Sequence, residues 1–153
     1  AAAAVVSTRE SGCAEILGTD ISSSPAGCES VWVPRTGHFS QDGRNVQMFA
    51  IKKSQREFRR VADAHAREDR RLHFVGHQVN LGALTTIAQR CGIPEERHHY
   101  NVDQYGNTCA PGCASVVSQK WDDMGVQDDV AMVGVGGGLT WAGYMLRFGK
   151  TKS

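Results

Sequence analysis

Three segments of the 153-residue chain supply hydrogen-bond donors that could act together on one anion. His77 lies in Phe74–Asn80 (FVGHQVN), Asn107 lies in the run YGNTCA, and Gly136–Gly138 lie within Val133–Trp141. Imidazole N–H, carboxamide N–H and unhindered backbone N–H groups are all donors that can converge on a developing oxyanion. The set therefore predicts a site that stabilises an oxyanion, and it suggests chemistry on acyl thioesters.

Each of these residues also has a purely structural interpretation. A lone histidine is usually a satisfied core residue, but Gln78 and Asn80 beside His77 are polar groups that need a site or a turn. Gly-Asn-Thr is typical of turns, and Asn107 could cap a helix. Gly136–Gly138 could form only a tight hairpin turn, and the run lacks the pattern of a phosphate-binding loop. Taken singly, the residues leave both interpretations open.

Alternating strand and helix patterns predict how these residues are positioned. The expected strands are Ala3–Ser7, Cys13–Ile21, His73–Val75, His98–Asn101, Asp129–Val135 and Leu139–Phe148, and the expected helices span residues 48–69, 81–91 and 110–124. Residues 22–44 are expected to form a long irregular segment, which in a compact domain is usually functional. The alternation predicts an α/β fold with a mostly parallel sheet covered by helices. Because ligands bind beyond the carboxyl ends of such strands, His77 and Asn107 should converge there.

The three segments resemble, in order, the motifs of the β-ketoacyl-acyl-carrier-protein synthase III family of the thiolase superfamily. That family has H-Q-x-N, then G-N-T-S/C-A, then G-x-G-x-G-x-T-W near its end. The resemblance extends more weakly from Ala1–Val6 to Phe148 and covers only the family's C-terminal half. It implies a thiolase-like fold in which residues 1–153 form a βαβαββ-type half with a mixed, mostly parallel sheet. The N-terminal half, which carries the family's nucleophilic cysteine, is not in this chain.

The resemblance also implies roles for the residues that match the motifs. His77 and Asn107 would hydrogen-bond the thioester carbonyl of a malonyl group and stabilise the enolate that forms as carbon dioxide leaves. The backbone N–H of Gly137 would bind the oxyanion formed from the acyl-enzyme, and Gly136 and Gly138 would let the chain approach the substrate closely. The implied substrates are acyl-coenzyme A and malonyl-acyl carrier protein, and no bound cofactor or metal is expected.

None of the cysteines in this chain has the sequence context of the family's nucleophile. The five are Cys13, Cys28, Cys91, Cys109 and Cys113, and none lies in an Ala-Cys-Ser/Ala-Gly context. Cys109 and Cys113 open a predicted helix, where a thiolate could form, but packing as small residues is the favoured interpretation. No cysteine and histidine spacing matches a zinc site. His98 and His99 match no family motif and are expected to be surface or packing residues.

A cationic surface is predicted on the helix at residues 48–69. Its cations include Lys52, Arg56 and Arg59, and Arg90 lies on the next predicted helix. Such a surface could be a solvated face, or it could bind an acidic acyl carrier protein or the phosphates of coenzyme A. In the resemblance, Arg59 and Arg90 match positions where the family tends to carry a cation for this purpose.

Composition limits the remaining possibilities. The formal net charge of +1 gives no global sign of nucleic-acid binding, and no apolar run is long enough for a signal or membrane helix. The odd number of cysteines does not suit a disulfide framework, so a cytoplasmic location is expected. The chain starts with four alanines and no initiator methionine, and we expect it to be cut from a longer one. By resemblance, the complete enzyme is expected to be a homodimer.

Two functional hypotheses follow. The first is a condensing enzyme of fatty-acid or secondary-metabolite synthesis, with an acyltransferase of the same fold that makes C–O or C–N bonds as a variant. The second is a catalytically inactive subunit that supports an active partner in a heterodimer. Gly82 and Val135 stand where the family often has Arg and Phe, and these departures favour a specialised acyl substrate.

Overall fold

The computed structural model describes residues 1–149, and its main elements alternate between strands and helices. The strands are β1 (Ala14–Ser23), β2 (Val31–Trp32), β3 (Ser40–Gln41), β4 (Arg71–Gly76), β5 (Asp128–Gly136) and β6 (Thr140–Phe148). The α-helices are α1 (Gly43–His65), α2 (Leu81–Arg90), α3 (Val102–Tyr105) and α4 (Gly112–Lys120), and 3₁₀ helices cover Pro25–Ser30, Glu95–Arg97 and Trp121–Asp123. No helix among these residues is both long and apolar enough to cross a membrane.

A four-stranded sheet in the order β1-β6-β5-β4 forms the centre of the fold. β4 and β5 are parallel, with Phe74 opposite Ala131, whereas β6 is antiparallel to both β5 and β1. The predicted α/β class and the mixed sheet are therefore confirmed. Parallel pairing is less extensive than predicted, because β6 follows β5 through a tight turn and strands joined in this way must be antiparallel.

Two predicted strands do not form as expected. Residues 1–10 are exposed and carry no strand, so the strand expected at Ala3–Ser7 is wrong in this structure. A strand needs a hydrogen-bonded partner, and no other part of residues 1–149 pairs with this segment. The strand expected at His98–Asn101 is reduced to one parallel bridge between His98 and Phe74. The preceding 3₁₀ helix and the following α3 leave only a short extended stretch between them.

The long basic helix α1 begins earlier than residue 48, where the sequence pattern predicts it. Asp42 Oδ1 accepts a hydrogen bond from the backbone N–H of Asn45 at 3.3 Å and so caps the helix at Gly43. The buried face of α1 includes Phe58, which packs edge-on against Phe74 of β4 with ring centroids 5.4 Å apart. Together with α2, this packing covers one face of the sheet.

The second face of the sheet is covered by α4. Val116 of α4 is buried against a cluster that includes Val75, Val130 and Phe148. Phe74 and Val75 are consecutive in β4 and belong to cores on opposite faces, as the alternation of side chains along a strand requires. α4 is shorter than the helix predicted over residues 110–124, because it begins at Gly112 and a 3₁₀ helix replaces the last predicted turn.

Buried ion pairs hold the strands together at the edge of the sheet where β4 and β5 begin. The Asp129 carboxylate, which is 1% exposed, accepts from Arg70 Nε and Arg147 Nη2, both at 2.7 Å. Beside it, Asp128 accepts from Arg71 Nε at 2.6 Å. These pairs tie the start of β5 to its neighbours, and the opposite edge, at the carboxyl ends of β4 and β5, is left for the candidate site.

Candidate active site

His77 is the first residue after β4 and is half-buried. Burial lowers the pKa of its imidazole from the ordinary value of 6.5, which favours the neutral ring at physiological pH. No group among residues 1–149 hydrogen-bonds this ring, so its N–H is available to a ligand. The preceding Gly76 is required by packing, because a Cβ there would come within 2.5 Å of Leu84 and 2.7 Å of Phe74.

The two polar residues that follow His77 both make hydrogen bonds within the protein. Asn80 caps α2, because its Oδ1 accepts from the backbone N–H of Ala83 at 3.0 Å. Gln78 is fully buried, and its Nε2 donates to the carbonyl oxygen of Gly76 at 2.7 Å. Gln78 is thus held within the protein, whereas His77 and the Nδ2 group of Asn80 face a cavity that both residues line.

Asn107 lies in the loop between α3 and α4, and its side chain is oriented by the backbone. Its Oδ1 accepts from the N–H of Cys109 at 2.8 Å, and Cys109 has a left-handed backbone with φ of 63°. Because a backbone N–H can only donate, the amide oxygen faces Cys109 and the Nδ2 donors are free. Asn107 does not cap α4, since that helix starts at Gly112 with Pro111 in the cap position. The carboxamide thus presents N–H groups rather than oxygen to a ligand.

Gly136 ends β5, and Gly137 and Gly138 lie in the tight turn to β6 that the structural interpretation predicts. Gly136 is paired with Thr140, whose hydroxyl donates to the carbonyl oxygen of Gly137 at 3.0 Å. Gly138 has φ of 123°, a left-handed conformation that favours glycine. At Gly137 an added Cβ would find only one atom within 4 Å, in Val31, so the backbone is accessible from that side.

A cavity of about 790 Å³, partly open to solvent, brings the predicted site residues together. His77, Asn107, Gly136 and Gly137 all line it, whereas Gly138 lies in the same turn but is not part of the lining. Much of the remaining wall is apolar and includes Val31, Phe39, Phe49, Val79 and Leu139. The arrangement is suited to an apolar ligand that carries one developing negative charge near its polar end.

Comparison with known proteins decides the family. A family model described as 3-oxoacyl-[acyl-carrier-protein (ACP)] synthase III C terminal matches residues 62–148. The chain belongs to this family. Its matched region contains His77, Asn107 and Gly136–Gly138, and the resemblance seen in the motifs is confirmed.

Curated and structural relatives of the synthase III family agree with this assignment. The chain is 33% identical over 139 residues to a β-ketoacyl-[acyl-carrier-protein] synthase III from Staphylococcus saprophyticus, covering 88% of this chain and 44% of the relative. The crystal structure of a 3-oxoacyl-[acyl-carrier-protein] synthase III from Aquifex aeolicus superposes with a TM-score of 0.81 at 26% identity, covering 92% of this chain and 47% of that one. The homologous enzyme from Pseudomonas aeruginosa has a TM-score of 0.79 at 26% identity, covering 90% and 45%. The chain thus spans about half the length of these relatives.

The predicted irregular segment contributes to the cavity in this synthase III family member. Residues 22–44 contain a 3₁₀ helix and the short β2–β3 pair, and Val31, Phe39 and Gln41 from this segment line the cavity. The prediction that a long loop would be functional is consistent with this position. Phe49 was not predicted at the site, because one aromatic residue near a helix start is equally typical of a core.

Of the two interpretations of Cys113, packing as a small residue is confirmed and a thiolate is disfavoured. Burial raises the pKa of this thiol to about 12, and its Sγ lies 3.8 Å from the carbonyl oxygen of Val133. Cys113 is therefore a packing residue in the cavity wall. Cys109 is exposed and precedes α4 rather than opening it. Within residues 1–149, no cluster of three His, Cys, Asp or Glu residues could hold a metal ion.

The cationic residues form a separate surface on α1. Lys52, Arg56 and Arg59 line a shallow groove of about 480 Å³ together with Gln55, Arg60 and Asp63. Arg59 Nη2 also donates to the carbonyl oxygen of Arg90 at 3.0 Å, so these two predicted docking residues are neighbours. Arg60 is neutralised by Glu57 at 2.7 Å and by Asp20 at 3.2 Å. The exposed Lys52, Arg56 and Arg59 leave the groove predominantly cationic.

Proposed function

We propose that this chain supplies the decarboxylation half of a β-ketoacyl-acyl-carrier-protein synthase III-like active site. The observation that carries the proposal is the single cavity lined by His77, Asn107 and Gly137. The curated relatives are named for this activity, and the chain spans less than half of their length. The proposal therefore includes a second half, elsewhere in the same protein or in a partner, that carries the nucleophilic cysteine.

Decarboxylation is the step assigned to His77 and Asn107. The thioester carbonyl oxygen of a malonyl group accepts from the His77 imidazole and from Asn107 Nδ2. The bond to the carboxylate then breaks, carbon dioxide leaves, and the electron pair forms an enolate whose charge lies on the carbonyl oxygen. Fixed donors in a largely apolar cavity stabilise this charge, and each is worth roughly 3–4 kcal/mol of the barrier.

Carbon–carbon bond formation follows at the cysteine of the other half. The enolate carbon attacks the carbonyl of the acyl-cysteine, and the resulting oxyanion accepts from the N–H of Gly137 and from the N–H of that cysteine. Collapse of the tetrahedral intermediate breaks the carbon–sulfur bond and releases the thiolate. The product is a β-ketoacyl thioester that is longer by the two carbons retained from malonyl.

The substrates fit the remaining surfaces of the chain. The acyl chain of an acyl-coenzyme A primer is apolar, and the apolar wall around Phe39 and Phe49 is suited to it. The cationic groove with Lys52, Arg56 and Arg59 would attract the acidic carrier protein or the phosphates of coenzyme A. No bound cofactor is required by this mechanism, and the complete enzyme is proposed to be a homodimer.

The test uses the native protein that contains this chain, purified with any associated polypeptide. Its intact mass is measured before and after incubation with acetyl- or octanoyl-coenzyme A, and release of carbon dioxide from malonyl-acyl carrier protein is then followed. Acylation and decarboxylation are both expected. His77→Ala should slow decarboxylation by roughly a hundredfold or more and leave acylation intact.

His38→Ala is the matched control, because His38 is exposed and does not line the cavity. It should leave both steps unchanged. Acylation without decarboxylation would contradict a condensing enzyme and favour acyl transfer to oxygen or nitrogen. Absence of both steps across several acyl lengths would contradict catalysis and favour the supporting subunit.

A further inference from the structure

Gln78 is a fully buried polar side chain next to the proposed catalytic histidine. It is 0% exposed, and its amide makes three hydrogen bonds to backbone groups. Nε2 donates to the carbonyl oxygen of Gly76 at 2.7 Å, while Oε1 accepts from the N–H of Asn101 at 2.9 Å and of Val102 at 3.1 Å. Each end of the amide therefore binds a different segment of the chain.

These two segments lead to the two side chains proposed to stabilise the enolate. Gly76 is bonded directly to His77, whereas Asn101 and Val102 begin α3, which leads through Gly106 to Asn107. The amide of one residue thus joins the backbone on the histidine side to the backbone on the asparagine side.

The network continues from the asparagine side into α4. Asn101 Nδ2 donates to Ser115 Oγ at 3.1 Å and to Gln119 Oε1 at 2.9 Å. α4 also packs directly on Gln78, because an added Cβ at Gly112 would lie 3.1 Å from Gln78 Cβ. The absence of a side chain at Gly112 therefore leaves the room that Gln78 occupies.

We propose that Gln78 is a positioning residue that sets the separation of the His77 and Asn107 donors. The inference rests on the proposed decarboxylation function. A donor pair acts on one oxygen only when both groups are within hydrogen-bond reach, and small misplacements can slow catalysis about a hundredfold. Gln78 does not line the cavity, so it acts on the site through the backbone groups that it binds.

A glutamate at this position changes only one of the three hydrogen bonds. In Gln78→Glu the side chain keeps its shape and one oxygen still accepts from Asn101 and Val102. The other oxygen faces the carbonyl oxygen of Gly76. A protonated acid can donate a hydrogen bond to this carbonyl, whereas a carboxylate can only repel it. Burial raises the pKa of such a carboxyl group, so the protonated form should persist well above the usual range for glutamate.

The experiment measures decarboxylation of malonyl-acyl carrier protein against pH in the native protein that contains this chain. Gln78→Glu should resemble the wild type at low pH and lose roughly tenfold to a hundredfold in kcat as the acid ionises with rising pH. KM for the malonyl substrate and acylation by acyl-coenzyme A should stay near their wild-type values. Gln104→Glu is the matched control, because Gln104 is exposed on α3, and it should show the wild-type pH profile.

A second variant tests the same residue without altering its polar groups. Gly112→Ala would press on Gln78 from α4 and should shift it by a fraction of an ångström. An intermediate loss of kcat, with no new pH dependence, is expected. This variant supplies the test if Gln78→Glu does not fold.

The outcomes separate the two proposals. A wild-type profile for both Gln78→Glu and Gly112→Ala, while His77→Ala is inactive in decarboxylation, overturns the positioning role alone. Unimpaired decarboxylation in His77→Ala overturns the proposed function on which it rests. Equal losses of acylation and decarboxylation in Gln78→Glu at every pH would also overturn the positioning role, since they indicate a purely structural residue.

Discussion

At the scale of single residues, the two proposed enolate-stabilising donors are prepared in different ways. His77 is half-buried, and burial lowers its pKa, so the ring is neutral and carries one N–H. Asn107 is exposed, and its amide is oriented by the N–H of Cys109 at 2.8 Å. Burial thus sets the protonation state of His77, whereas one backbone hydrogen bond sets the orientation of the Asn107 amide.

Asn107→Asp separates the orientation of this side chain from its donor. The carboxylate still accepts from Cys109, but it has no N–H and would place a negative charge beside the enolate. We expect decarboxylation to slow by roughly a hundredfold to a thousandfold, equivalent to about 3–4 kcal/mol, with acylation unchanged. Measured kcat for malonyl decarboxylation equal to that of the wild type would show that Asn107 does not donate to the enolate.

At the scale of elements, the candidate site depends on how β4 ends and α2 begins. The Asn80 cap at 3.0 Å starts α2 just after His77, so the short connection has little freedom. Asn80→Ala removes the cap and should lower the free energy of unfolding by about 1 kcal/mol. Urea denaturation measures this change, and Asn80→Asp, which keeps a cap oxygen, is the control. An Ala variant as stable as the Asp variant would contradict the capping role.

A histidine pair connects β4 to the segment before α3. His73 Nδ1 lies 2.9 Å from His99 Nε2, and His73 Nε2 lies 2.9 Å from Asp128 Oδ1. Burial, followed by the charges of His73, Lys120 and His98, lowers the pKa of His99 to about 4, and Asp123 opposes this shift. The pair is therefore a packing and hydrogen-bonding unit, in agreement with the expectation that His99 has a structural role.

This shift predicts a pH dependence of stability. The folded pKa of His99 lies below the unfolded value of about 6.5, so the unfolded chain binds the proton first as the pH falls. The contribution of neutral His99 to the free energy of unfolding should be fully present above pH 6.5 and be lost progressively toward pH 4. The free energy of unfolding, measured by urea denaturation at about pH 7 and about pH 5, should fall less for His99→Gln, which does not titrate in this range, than for the wild type. Equal losses in the two proteins, with exposed His38→Gln as control, would refute this assignment.

At the scale of the whole molecule, apolar surface is left uncovered in the described part of the chain. Val5, Ile21, Trp32 and Phe39 are all exposed, and β1 is an edge strand with one side unpaired. The cavity is also open and largely apolar. These features predict that the chain depends on further protein surface for its stability.

Expression of residues 1–153 alone tests this dependence. We expect a broad thermal transition without cooperativity, because core faces and a strand edge lack partners. The native protein that contains the chain should melt sharply under the same conditions and serves as the control. A cooperative transition of the isolated monomer would contradict the prediction.

Local sequence patterns determined much of this structure. The expectation that His77, Asn107 and Gly137 share one site came from the family resemblance, and the three residues line one cavity. Apolar alternation and helix periodicity predicted β4, α2, β5 and β6 near their observed bounds. These features depend on residues close together in the chain. A strand end and a glycine turn are each recognisable from a few neighbouring side chains, whereas Asn107, which could have capped a helix, does not do so.

Only the tertiary structure decided the features that depend on distant partners. The segment Ala3–Ser7 has the composition of a strand, yet it forms none, because strand formation requires a second segment to pair with. Cys113 could have been reactive by its position, but burial raises its pKa to about 12. Gln78 binds residues that lie more than twenty positions away, so no local pattern reveals its partners. Pairing, burial and long-range hydrogen bonding are properties of the assembled fold, and a linear pattern of residues does not contain them.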